Sequence, residues 1–199
     1  MTSNDFALFD AVQRDAYEPL FLENRATFLR KLKLFSQGNW LIQDGPKPVA
    51  YLVCHPWVLY DLVTLNAAEL VLPVKADALY IHSVAVVHDY QRRGIGTLLY
   101  QKAREIAVSH GHTRMALVSV QRSHPFWRRV GRFRTMRLKQ ASLRMKLAAY
   151  GPDARYMVNR IAHTSQRAAM RSGQRINAGP DCQRRPRSTW CGTEVRHIA

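Results

Sequence analysis

"SVAVVHDYQRRGIGTLLYQKA", residues 83–103, runs from an alternating apolar segment through a basic turn holding two glycines into a pattern of helical period. Joined to the preceding "ALYIH", the apolar part is rich in branched and aromatic residues and reads as a buried strand. Beyond the turn Ile95, Leu98, Leu99, Ala103 and Ile106 fall on one face of a helix, which Gly111 ends. Backbone amides at a helix start lack partners and have the positive end of the helix dipole behind them, so they form an anion site. Gly94 and Gly96 stand at that entrance, Arg92 and Arg93 add positive charge, and Gln91 leads the turn. A phosphate or pyrophosphate is the natural guest. The turn is not a Walker loop, because Thr97 follows Gly96 without the intervening lysine. Nor is it a dinucleotide fingerprint, because Leu99 stands where a third glycine is required.

Outward from the turn, "RMALVSV" is a second buried strand, and strand, helix, strand in that order predicts a parallel crossover. Upstream, "NWLIQD" and "VAYLVCH" flank a Gly and Pro turn and read as an antiparallel hairpin. Two helical patterns precede it, one carrying Phe6, Phe9, Val12 and Tyr17 up to Pro19, the other "FLENRATFLRKLKLF", ending near Gly38. Residues from Pro56 to Ala78 read as loop with a short helix. Downstream, "SHPFWRRVG" predicts a short helix capped by Ser123, and "ARYMVNRI" a last strand, with pairing from Arg132 to Ala141 left open. The class is mixed α/β, in one domain over residues 1–160. Residues 161–199 show no sustained period, are rich in arginine and serine, and are expected to be a basic, disordered tail.

The chain's 199 residues and 47% hydrophobic content suit one domain with a substantial core. Its formal charge of +16 and pI near 10.5 attract phosphates of any kind, whether of nucleic acid, membrane or a polyphosphorylated cofactor. No apolar run approaches the roughly 18 residues of a membrane span, and "MTSNDFALFD" is unlike a signal peptide, so a cytoplasmic protein is expected. Cys54, Cys182 and Cys191 have no paired spacing, which predicts neither a disulfide framework nor a metal site.

The pattern Gln or Arg, two residues, Gly, one residue, Gly or Ala, after a strand with an apolar "AV" pair, resembles the acetyl-CoA motif of the GNAT N-acetyltransferase superfamily. "HPFWRRVG" is similar to that family's next helix and "GNWLIQDGPKPVAYLVCHPW" to its preceding hairpin. The resemblance implies a mixed sheet with an antiparallel N-terminal hairpin, a parallel pair around the acetyl-CoA site and helices on both faces. It further implies that Val84, Ala85 and Val86 offer backbone groups to the pantetheine arm. Gln91, Arg92, Arg93, Gly94, Ile95, Gly96 and Thr97 would hold the pyrophosphate, and a splayed strand pair would open a cleft for the thioester. Members of that family begin with a strand before the first helix; this chain starts almost at its first helix, and that strand is expected to be missing.

Direct acetyl transfer to an amine raises two proton problems. An amine of pKa about 10 is almost wholly protonated at neutral pH and needs a base, and the leaving thiolate benefits from an acid. "LYIHSVAVV" places His82 just before the cofactor strand, with spacing similar to the "HALAV" or "HSLAV" segment of arylalkylamine N-acetyltransferases, where the matching histidine helps carry protons. Strand alternation puts the adjacent Ser83 on the opposite face. The family's tyrosine acid, in a "PFYE" setting, is replaced by Trp127 in "PFWRRVGRF". Either His124, Tyr60 or Ser123 substitutes, or the thiolate leaves unassisted. Tyr17 and Glu18, at the end of the first helix, and Tyr60 are weaker candidates for the acceptor side.

The reading is an acetyl-CoA-dependent N-acetyltransferase acting on a primary amine, small or peptidic, in a monomer or homodimer. Its rivals are a catalytically weak acyl-CoA-binding protein and a nucleic-acid-associated protein working through its basic tail.

Overall fold

The computed structural model describes residues 3–67, 69–161 and 193–198. Helix α1 (Ser3–Ala16) lays Phe9 and Val12 into the core, and α2 (Arg25–Leu34) starts on Asn24, whose side chain accepts from the Thr27 amide at 2.9 Å. Strands β1 (Asn39–Asp44) and β2 (Lys47–Trp57) form the expected antiparallel hairpin. Residues 58–77 contain no helix among those described, so the short helix expected there is absent. In its place Leu59, Leu62, Val63 and Leu70 are buried as a loop cluster. β3 (Ala78–Val86), α3 (Ile95–Ser109) and β4 (Arg114–Ser119) follow, then α4 (His124–Gly131), β5 (Arg134–Thr135), α5 (Ala141–Ala148), β6 (Arg155–Arg160) and β7 (Thr193–His197).

These strands make one sheet in the order β5-β6-β4-β3-β2-β1-β7. Only β3 and β4 run parallel, as the crossover requires. Leu79, Ile81, Met115 and Leu117 share the face covered by α3 and α4, where Trp127, Phe133 and Tyr100 pack. Tyr51 shares the other face with α1, whose Phe9 ring lies 5.1 Å from it. Leu98 departs from the predicted stripe of α3: Ile95, Leu99, Ala103 and Ile106 are buried, whereas Leu98 is 42% exposed.

Two further expectations change. Arg134–Thr135 pairs with β6 through Arg134↔Val158 and Thr135↔Met157, which gives the basic stretch after α4 a place at one sheet edge. At the other edge, residues 193–198 are not tail but strand: β7 runs antiparallel to β1 from Trp40↔His197 to Asp44↔Thr193, and Ile198 is buried beside it. Among the described residues, the outer side of β1 is covered by β7. The rest of the expected tail, 162–192, lies outside the described residues. Among the described residues no helix is long and apolar enough to cross a membrane.

Candidate active site

Parallel pairing of β3 with β4 stops at Ile81↔Leu117, so from His82 to Val86 the edge of β3 is free of β4. The opening is a cleft of about 730 Å³ whose lining includes both the free β3 segment and the turn into α3.

One wall is backbone. Gln91, Arg92, Gly94, Gly96 and Thr97 of the turn line the cleft, as do Val84, Ala85 and Val86 of the strand. Gly94 caps α3 at φ 88°, in left-handed backbone that a side chain would strain, although a Cβ there would meet open space. Gly96 has a different reason to be small, since a Cβ would stand 3.0 Å from the Phe126 ring. The Gln91 side-chain Nε2 donates to the Val86 carbonyl at 3.2 Å, tying the turn to the strand. Arg93 turns away, its guanidinium 4.9 Å over the Tyr90 ring, and Ile95 is buried in the core. Neither lines the cleft.

The opposite wall is built of side chains, and its geometry follows from a defect in the sheet. Val53 pairs with Ser83 and Cys54 with Ile81, so His82 is an extra residue, a bulge. The extra residue cancels the alternation that would have separated His82 from Ser83, and both line the cleft. The expectation of opposite faces therefore fails for a local reason. The Tyr17 hydroxyl donates to the Val84 carbonyl at 2.9 Å and lies 3.0 Å from Ser83 Oγ, which is also 3.0 Å from the Tyr51 hydroxyl. With Tyr17 committed as a donor to the carbonyl, the chain runs Tyr51 to Ser83 to Tyr17 to Val84. Burial, only partly offset by these bonds, pushes the Tyr17 phenol up to about 12.

His82 is buried with Glu23 and Lys31. Its Nε2 lies 3.1 Å from Glu23 Oε2 and 2.8 Å from Lys31 Nζ, and Lys31 also donates to Glu23 Oε1. The two contacts at Nε2 are alternatives: protonated, it donates to Glu23; unprotonated, it accepts from Lys31. Its Nδ1 has no partner among the described residues. Burial, reinforced by the Lys31 charge, holds the His82 imidazole below its ordinary value despite Glu23. Burial also lowers the Lys31 ammonium, against the pull of Glu23. For Glu23 burial alone would raise the carboxyl, but His82 and Lys31 outweigh it and hold the group at about 2. The resting charge state is a Glu23–Lys31 ion pair beside a neutral imidazole.

Glu23, Lys31 and Tyr51 escaped sequence reading. Glu23 gave no signal, but Lys31 did: it interrupts the buried stripe of α2 between Phe28 and Leu32, at a position where a lysine needs a partner.

The remaining candidates separate cleanly. Glu18 is exposed ahead of a short 3-10 turn, and Tyr60 is 43% exposed on another surface; neither lines the cleft. Of the substitutes proposed for the acid, Ser123 lines it and His124 does not. Ser123 makes no side-chain cap to α4; its hydroxyl is 3.0 Å from that of Ser119. Trp127 is buried, packs edge-on against Phe126 and Phe133 at 5.0 and 5.6 Å, and still reaches the cleft.

Residues 6–131 match the family described as Acetyltransferase (GNAT) family. No curated protein matches the sequence. Among solved structures, the N-acetylglutamate synthase of Neisseria gonorrhoeae, complexed with coenzyme A and N-acetyl-glutamate, is similar at 16% identity and TM-score 0.59, over 81% of this chain and 34% of that one. This chain thus spans about a third of the synthase. The GphF GNAT-like decarboxylase, in complex with isobutyryl-CoA, is similar at 14% identity and TM-score 0.60, over 81% and 97%. The ribosomal-protein-S18-alanine N-acetyltransferase of Escherichia coli is similar at 16% identity and TM-score 0.52, over 83% and 94%. At these identities the likeness is one of fold.

Proposed function

The chain belongs to the GNAT acetyltransferase family, and from that premise we propose that it moves an acetyl group from acetyl-CoA directly to a primary amine, of a small molecule or a peptide. The observation that carries this reading is the meeting, in one cleft, of the free β3 edge and turn with His82 held by a buried carboxylate. Acetyl-CoA is the co-substrate: the turn amides and Arg92 suit its pyrophosphate, and the backbone from Val84 to Val86 suits the pantetheine amides.

In the transfer the amine nitrogen attacks the acetyl carbonyl carbon, the C–S bond breaks, and its electron pair leaves on sulfur. Before attack the acceptor ammonium must lose a proton. A neutral imidazole is the form able to take it, and burial keeps His82 in that form at neutral pH. A proton taken up on the ring gives an imidazolium whose Nε2–H donates to the Glu23 carboxylate, which stays ionised, and this makes Glu23 a positioning residue for the base. No tyrosine stands at Trp127, and the Tyr17 hydroxyl is committed to the Val84 carbonyl, so of the candidates Ser123 is the one in the cleft able to offer the departing sulfur a hydrogen bond.

The test is mass-spectrometric detection of labelled acetyl transfer across a panel of amines and peptides. Transfer by the wild type, reduced about 10²- to 10⁴-fold in His82→Ala at pH 7 and regained as pH approaches the acceptor's own pKa, is the expected outcome. Unchanged turnover and pH profile in His82→Ala would remove the histidine from the mechanism. Coenzyme A binding with no transfer to any acceptor would favour the second reading, an acyl-CoA-binding protein with little activity, which draws on Trp127 in the tyrosine position.

A further inference from the structure

A second concavity lies at the opposite end of β4 from the acetyl-transfer cleft. The cleft takes Leu117 and Val118 from β4, whereas this groove, of about 460 Å³, takes Arg114 at its start. Arg132, Arg134 and Arg160 line the same groove. Arg114 and Arg160 are directly opposed across the β4–β6 ladder, a like-charge arrangement that costs stability unless an anion neutralises it. Among the described residues none of the four arginines has a side-chain hydrogen bond or ion pair. The nearby carboxylates are engaged elsewhere: Asp61 Oδ1 is 3.3 Å from Lys146 Nζ, and Asp77 accepts from the Leu59 amide at 2.6 Å.

The groove also holds an aromatic ring. Tyr60 lines it, is 43% exposed, and takes left-handed backbone at φ 65°, which is unfavourable for a tyrosine and is fixed by the bond from its amide to the Tyr156 hydroxyl at 2.8 Å. Buried Leu59 and Val158 make an apolar floor beside it.

We propose that this groove binds a single-stranded nucleic acid, with the arginines on successive phosphates and a base stacked on Tyr60. Guanidinium forks match phosphate oxygens, and the Tyr60 ring, 6.2 Å from that of Tyr156 and still 43% exposed as a residue, offers its open side to any base. A carboxylate peptide would satisfy the arginines but gives no role to the presented ring. The chain's net charge of +16 adds a long-range field suited to a uniformly charged polymer. The site is independent of the cleft and of the acetyl-transfer reading.

The experiment is fluorescence anisotropy of a labelled mixed-sequence single-stranded RNA of about 12 nucleotides, a length within one stacking-groove site. It uses the full chain with coenzyme A in excess, across about 50 to 200 mM salt. Binding is expected, with Arg134→Ala/Arg160→Ala weakening it about tenfold or more and reducing the salt slope by about 1.4, the value for two lost single-strand phosphate contacts. Tyr60→Ala should weaken it about fivefold or more with the slope unchanged, and Tyr60→Phe should restore it. Thermal melting of each variant reports the fold, and Tyr60→Ala decides the matter alone if the double variant does not fold. The proposal is overturned by any of four results: no binding by the wild type, binding and slope unaffected by the double variant, binding unaffected by Tyr60→Ala, or equal displacement by polyglutamate and by unlabelled RNA. Saturation of the groove by inorganic phosphate without strand binding would likewise overturn it.

Discussion

The two walls of the cleft beside β3 are made of different material. The turn and the free edge of β3 present main chain, contributed by residues 84–97 as one continuous run. The facing wall presents side chains from the segment after α1, from β2 and from β3: Tyr17, Glu23, Tyr51, His82 and Ser83, with Lys31 of α2 behind Glu23. A backbone wall tolerates many side chains provided the chain path is kept. A side-chain wall depends on each buried polar group meeting its partner, because an unpaired one carries the full penalty of its lost hydration.

That contrast can be tested by striking each wall separately. The largest effect is expected from Glu23→Ala, which leaves Lys31 buried without its counter-charge and should cost about 3–5 kcal/mol in chemical denaturation. Its coenzyme A affinity should stay close to that of the wild type; a parallel collapse of affinity would mean that the walls are not separable.

Acidification comes next. His55 is held at about 3 by burial, with repulsion between it and His82 whenever both rings would be protonated, against an ordinary 6.5, and His82 is lowered as well. The unfolded chain takes up protons on both below pH 6.5 that the folded chain refuses, so stability falls as pH drops from there, by up to about 1.4 kcal/mol per pH unit for each histidine. Glu23, held at about 2 rather than 4.5, adds stability present above pH 4.5 and lost as pH falls toward 2. Urea midpoints measured against pH should show this decline, with the upper part flattened in His55→Phe; a midpoint constant from pH 7 to 5 would contradict the buried, neutral histidines.

Gly94→Ala strikes the backbone wall. The alanine must adopt φ 88°, at about 1–2 kcal/mol, and coenzyme A affinity by calorimetry should fall about tenfold while turnover at saturating coenzyme A is retained. Loss of turnover with affinity intact would reverse the roles assigned to the two walls. The smallest change is expected from Ser83→Ala, which cuts the hydroxyl chain between Tyr51 and Tyr17 and should cost about 1–2 kcal/mol in the same denaturation assay.

The same contrast explains what was legible in the sequence. The hairpin, the parallel crossover and the glycine turn follow from local periodicity and turn chemistry, and each stands where its residues predict. His82 was readable from its place before "VAV", but its companions were not, because Glu23 and Lys31 reach it across 59 and 51 positions of sequence. The bulge that turns His82 and Ser83 to one face was also invisible, since it is a property of the register between two strands rather than of either strand. Strand β7 escaped for a similar reason: "TEVRH" has little apolar alternation of its own and becomes a strand by pairing with β1.

That pairing has a consequence for how the chain is made. A chain emerging from synthesis in order completes α1, α2 and the β1–β2 hairpin early, yet the outer hydrogen-bonding edge of β1 stays open until Thr193–His197 has appeared. Throughout that interval the nascent protein offers a bare strand to any neighbour able to pair with it, and closure must bridge a long sequence separation, the slow kind of contact. Completion of the sheet at that edge would then be timed by β7, the strand made after all the others described in the sheet.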